Sequence, residues 1–208
     1  TWPTCSTNRS ADGPPKTTAE LTEYAKKLTV RNDDGSLKVV GFNPMMAWYS
    51  NTPANFGPMY GGKWTDDSGK STLGSDPAWA KLLTWQKDLI DWYGYKDLVK
   101  FQAGLGDEFS ASNAFETGKV AMMFDGEWRT AFIKREHPEL NYGTAFFPSA
   151  DDHPDLYGSQ RVGGTVVVGA VVVGAVLSVV GASVLSVGVS PPSSAWAPTG
   201  PAGSATRA

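Results

Sequence analysis

Phe115–Trp128, Phe-Glu-Thr-Gly-Lys-Val-Ala-Met-Met-Phe-Asp-Gly-Glu-Trp, constrains this chain more than any other stretch. Val120–Phe124 is an unbroken apolar run between two glycines. A short run of that kind suits a strand buried on both faces, as in a sheet covered by helices. Gly126 marks a turn, and Trp128 stands at the start of a helix over 127–136 that Pro138 stops. Open α/β sheets take their ligands at the ends of such strands. The stretch therefore predicts a cleft with Trp128 at its lip.

The residues before it supply the layers. Thr17-Thr18-Ala19-Glu20 is a capping-box pattern, followed by Leu21, Tyr24, Ala25 and Leu28 at helical spacing. Asn32-Asp33-Asp34-Gly35 is a strong turn, and Lys38–Phe42 reads as a short strand. Residues 43–62 are rich in Pro, Asn, Gly, Met and aromatics around Trp48-Tyr49. That composition predicts a ligand-facing or packed irregular segment rather than a solvated loop. Thr65–Lys70 predicts a small hairpin with a polar tip. Gly69-Lys70-Ser71-Thr72 fails as a phosphate loop because Trp64 stands where a glycine is required. Asp76 and Pro77 open the best-marked helix, with Trp79, Leu82, Leu83, Gln86, Leu89, Ile90 and Tyr93 on one face and Gly94 at its end. A shorter helix is predicted over 107–117 and a buried strand over 142–147.

Composition narrows the partners. A net charge of −3 argues against nucleic acid, which needs a basic face. Of eight tryptophans, six (Trp48, Trp64, Trp79, Trp85, Trp92, Trp128) lie between residues 48 and 128. Flat apolar rings with one polar handle suit the C–H faces of sugars, although a Trp-rich core reads the same way. The one cysteine, Cys5, excludes an internal disulfide and a cysteine-based zinc site. His137 and His153 lie in no ligand-spaced motif, so no metal or cofactor is expected. The first residues show no charged segment followed by an apolar one, so no secretory signal is read in this chain.

Beyond Gly164 the composition changes. No charged residue occurs from Val162 to Thr206. Thr165–Val189 is long enough to span a membrane, about 37 Å as a helix against a core of about 30 Å. Yet it lacks flanking Lys or Arg and is dominated by Val and Gly. Three readings stand: a non-native or out-of-frame terminus, a glycine-rich strand or coil, and a membrane span. The division expected is 1–13 irregular, 14–165 one folded lobe, and 166–208 a low-complexity tail.

The order and spacing of several motifs carry a resemblance. Phe115–Trp128, then Leu140-Asn-Tyr-Gly-Thr-Ala-Phe-Phe-Pro148 and Val162-Gly-Gly164, resembles the extracellular solute-binding proteins of ABC importers, in the carbohydrate-binding, maltodextrin-type group. Pro14–Thr17 with Glu20-Leu21, and Gly61–Trp64 with Asp67–Lys70, are similar to that family's helix start and hairpin in its second lobe. The resemblance covers roughly residues 8–165. Cys5–Asn8 stands where the family has a tyrosine-rich strand, and nothing after Val168 matches.

The resemblance implies a periplasmic-binding-protein-like (type II) α/β lobe, with the other of two hinged lobes largely missing from this chain. It implies capture of a mono- or oligosaccharide without chemistry, and delivery to the permease subunits of an importer. A monomer outside the cytoplasm, in the periplasm or lipid-anchored, is expected. Trp128 matches the family position that stacks on the sugar. Trp48 and Tyr49 lie in a cleft-facing loop, and Asn51, Asp125 and Glu127 are candidates for sugar hydroxyls. Gly126 forms the turn beneath, while Gly163 and Gly164 would let backbone approach the ligand or serve the hinge. The rival readings are a carbohydrate hydrolase using Asp125 and Glu127, which Gly126 and the following helix would splay, and a membrane-anchored module relying on Thr165–Val189.

Overall fold

The computed structural model describes residues 14–158 and, as backbone, the short strands at 161–162, 165–166 and 170–173. Helix α1 (Thr18–Leu28) starts where the capping pattern predicts: the Thr17 hydroxyl accepts from the Glu20 amide at 3.2 Å. Glu20 reaches back to the Lys16 amide at 2.6 Å, one residue before the cap. Strands β1 (Val30–Arg31) and β2 (Leu37–Phe42) form a hairpin around Gly35, whose φ of 82° needs glycine. Helix α2 (Pro53–Met59) lies inside the irregular 43–62 segment. Helix α3 (Pro77–Tyr93), capped by Asp76, passes through Gly94 into α4 (Tyr95–Ala103). Strand β3 (Val120–Asp125) and helix α5 (Trp128–Glu136) follow.

The sheet runs β1-β2-β3-β6, with β6 at Ala170–Val173. β2 and β3 are parallel, registering Val40 with Val120 and Phe42 with Met122. β6 closes the far side antiparallel to β3, pairing Met122 with Val173 and Asp125 with Ala170. A two-residue pair, β4 (Arg161–Val162) and β5 (Thr165–Val166), precedes it. The apolar stretch after Gly164 thus contributes a strand, and no described helix is long and apolar enough to cross a membrane. The remaining tail lies outside the described residues.

All six side chains of β3 are buried, as its unbroken apolar run requires. Phe124 is the hub of the core, with ring centroids 4.8 Å from Phe42, 5.6 Å from Phe56 and 4.1 Å from Phe147. The long α3 is tied to its neighbours by polar anchors: Trp85 donates to the Thr22 hydroxyl at 2.8 Å and Gln86 to the Pro44 carbonyl at 2.6 Å.

Three expectations are corrected. Residues 107–117 form consecutive turns rather than a helix. Ser110, Ser112 and Asn113 bond local backbone and each other, an alternative that competes with helix formation. Residues 142–147 form no strand: Gly143 makes an isolated bridge, and just beyond the segment Ser149 bridges to Thr17. Leu83, placed on the buried face of α3, is 54% exposed.

Candidate functional site

Because β2 and β3 are parallel, their carboxyl ends open on the same edge of the sheet. The chain leaving β2 forms a tight loop. Asn43 is fully buried; its side chain accepts from the Met45 amide at 3.0 Å, and its carbonyl accepts from Asn51 Nδ2 at 2.6 Å. The loop closes on itself through Ala47 N–H to the Asn51 carbonyl and Asn51 N–H to the Trp48 carbonyl, both 2.9 Å. Ala47 and Tyr49 carry φ of 61° and 51°, a left-handed conformation that residues with a Cβ adopt at a cost. The result is a stacked pair, Trp48 on Tyr49, with ring centroids 3.9 Å apart at 28°.

The chain leaving β3 builds the second wall. Asp125 ends the strand, Gly126 turns, and Glu127 occupies the N-cap of α5 with its side chain exposed. The Trp128 indole lies against Gly126 so closely that a Cβ there would stand 2.3 Å from Cη2 and Cζ3. The Trp128 side chain also helps to lower the Asp125 pKa against the effect of burial. Gly126 thus seats the ring, yet 45% of the residue stays open to solvent.

Beneath this platform lies a buried ion network. Arg129 is completely buried; Nε donates to Asp125 at 2.5 Å and a terminal nitrogen to Glu116 at 2.8 Å. Its other terminal nitrogen donates to the Glu108 carbonyl at 2.7 Å. The three guanidinium nitrogens therefore hold the strand end, the turn before β3 and the 104–113 loop together. Burial raises the Asp125 carboxyl, against the opposing pull of Arg129. Burial likewise pushes the Tyr49 hydroxyl up, and among the described residues that hydroxyl is buried without a hydrogen-bond partner.

The predicted residues thus fall into different roles. Trp128, Tyr49, Gly126 and Glu127 all stand on the segments that follow the carboxyl ends of β2 and β3. Trp48 is 4% exposed and gives its face to Tyr49, so it supports rather than presents. Asn51 is wholly buried and spends its amide nitrogen on the Asn43 and Met45 carbonyls. Asp125 is not open to a hydroxyl: one oxygen takes Arg129 and the other the Gly126 amide at 2.7 Å. With Asp125 inside this network and Glu127 in solvent, the two do not form an acid–nucleophile pair. Gly163 and Gly164 lie outside the described residues, and among those described no group of carboxylates, histidines or cysteines is arranged to hold a metal.

Sequence reading missed Arg129 and Glu116. The signal was present: Asp125 and Arg129 are four apart across the strand end, and an arginine amid apolar residues needs a buried partner.

A family model of bacterial extracellular solute-binding proteins matches residues 4–178 of the chain. The chain belongs to that family. The match takes in most of the chain, including β6, and runs past both ends of the stretch that carries the resemblance. Among solved structures, CpMnBP1 with mannobiose bound and CpMnBP1 with mannotriose bound are each 35% identical, with a TM-score of 0.60. Each alignment covers 67% of this chain and 35% of the other, so the chain spans about a third of the length of the structures it matches. No curated protein matches. The fold is accordingly that of a mixed α/β part of an extracellular solute-binding protein, in a family of binding proteins.

Proposed function

We propose that this protein is the substrate-binding component of an ABC-type sugar importer, taking an oligosaccharide of the mannobiose and mannotriose class. Its ligand stacks on Trp128, with Tyr49 and Glu127 beside it. Gly126 lets the ring lie flat, and Trp48, Asn51 and Asp125 position these groups from below. Gly163 and Gly164 let backbone approach the ligand or serve the hinge. A second lobe, which this chain does not span, closes over the sugar, and the closed form delivers it to permease subunits outside the cytoplasm. The protein acts as a monomer and leaves the sugar unaltered.

The carrying observation is the half-open Trp128 ring, seated on Gly126, at the carboxyl edge of two parallel strands. An apolar face that size, fixed before the ligand arrives, costs little ordering entropy on binding. Titration calorimetry of the full-length protein with mannobiose and mannotriose tests the reading. Saturable binding with the sugar recovered intact is expected, and Trp128→Ala should weaken it by about 2 kcal/mol, roughly 30-fold. Turnover of the sugar, or equal affinity in the variant, would refute the assignment.

A further inference from the structure

The 104–113 loop overlaps the first part of the segment whose sequence predicts a helix over 107–117. The structure makes it a rigid shelf beside the platform. Gly106 packs so tightly on Ser112 that a Cβ would meet Ser112 Oγ at 2.1 Å. Ser110 Oγ lies 2.7 Å from Ser112 Oγ and donates to the Asp107 carbonyl at 3.0 Å. The Glu108 carbonyl is gripped twice, by Asn113 Nδ2 at 2.8 Å and Arg129 at 2.7 Å, and both donors are fully buried. The backbone at Glu108 therefore cannot drift relative to Asp125 and Trp128.

The side chain is treated differently. The Glu108 carboxylate is half-buried and, among the described residues, receives neither a hydrogen bond nor an ion pair. Arg129, the cation that acts on it, directs its nitrogens to Asp125, Glu116 and the Glu108 carbonyl rather than to this carboxylate. Desolvation, and then the Asp125 charge, raise its pKa, as befits an acceptor set in a partly dry place without donors. The Asp125 charge acts on it and its own charge acts on the Tyr49 hydroxyl, so the carboxylate lies within electrostatic reach of both walls of the site. Phe109, 59% exposed with its ring 5.9 Å from the guanidinium of Arg129, covers the network on the solvent side.

We propose that Glu108 is a ligand-contacting carboxylate of this site, accepting two neighbouring hydroxyls of the sugar ring that stacks on Trp128. An ionised carboxylate is acceptor-only and takes paired donors, and a vicinal diol supplies two O–H groups at matching separation. The hydroxyls provide the donors that the protein withholds. Glu108 then reads hydroxyl configuration, while Trp128 supplies affinity without regard to it. This inference rests on the carbohydrate-binding reading above.

The test is titration calorimetry of the full-length protein with mannobiose and with deoxy analogues each lacking one hydroxyl, in wild type, Glu108→Gln, Glu108→Asp and Trp128→Ala, with melting temperatures measured alongside. Glu108→Gln should bind mannobiose about ten- to a hundredfold more weakly at unchanged melting temperature. Glu108→Asp should fall between. Wild type should penalise loss of one particular hydroxyl, and Glu108→Gln should cease to distinguish that analogue. If wild type binds and Trp128→Ala is weakened while Glu108→Gln binds within twofold of wild type, the inference fails and the carbohydrate reading stands. A uniform loss for every analogue together with a lowered melting temperature also overturns it, since that marks a structural role. No binding of any sugar by wild type overturns the carbohydrate reading itself.

Discussion

The Trp128 indole rests on the Cα of Gly126, where any added Cβ would stand 2.3 Å from two of the ring carbons. The glycine is there to seat the ring, because Gly126 does not have the positive φ that would call for glycine on conformational grounds.

Gly126→Ala should therefore separate binding from stability. The displaced atoms belong to a side chain that is 45% exposed, so the ring swings away into solvent and unfolding changes by less than about 1 kcal/mol. Affinity for mannobiose should fall nearly as far as in Trp128→Ala. Calorimetric titration beside a urea melt would show it, and full affinity in the alanine variant would contradict the seating role.

Arg129→Met should be far more damaging. It leaves the buried carboxylates of Asp125 and Glu116 without their cation, an uncompensated charge that costs about 3–5 kcal/mol. Adding Asp125→Asn should recover part of the loss by removing one of the stranded charges. Chemical denaturation of the single and double variants measures this; equal stability of wild type and Arg129→Met would dismiss the network as a support.

Gly41→Ala probes the sheet against α1. A Cβ at Gly41 would lie 2.0 Å from the Ala25 carbonyl oxygen and 2.6 Å from its carbon. Both are helix backbone that cannot rotate aside, so α1 must lift from β2 at a cost of about 3 kcal/mol. A denaturation midpoint unchanged by the substitution would show that the helix yields freely.

His137 should make the shelf loop pH-sensitive. Its Nε2 bonds the Ala111 carbonyl at 2.9 Å, and this bond, then Glu139 and Glu116, raise its pKa above the usual 6.5. A histidine pKa raised by folding adds stability that is complete below about pH 6.5 and is lost as pH climbs through the folded value. The melting-temperature advantage of wild type over His137→Gln should thus shrink from pH 6 to pH 8. A difference that stays constant over that range would rule the linkage out.

Much of the scaffold was legible from local patterns. The bounds of α3 follow from Asp76, Pro77 and Gly94, and β3 from an apolar run between Gly118 and Gly126, because caps and turns act within a few residues of the chain. The 107–117 segment misled, since its serines and Asn113 bond their own backbone, and helical propensity does not register that competition.

The sequence by itself determined that a buried strand ends in a glycine turn with a tryptophan on the far side, because that pattern depends on steric freedom and apolar continuity along one stretch. Only the tertiary structure decided which polar groups are open. Asp125 and Asn51 look like free ligand groups in a row of letters, but Arg129 and the Asn43 carbonyl claim them. Glu108 looks like one more surface acid, yet among the described residues its half-buried carboxylate receives neither a hydrogen bond nor an ion pair. Hydrogen-bond and charge satisfaction depend on neighbours brought together by folding, so no linear reading of these residues could have sorted them.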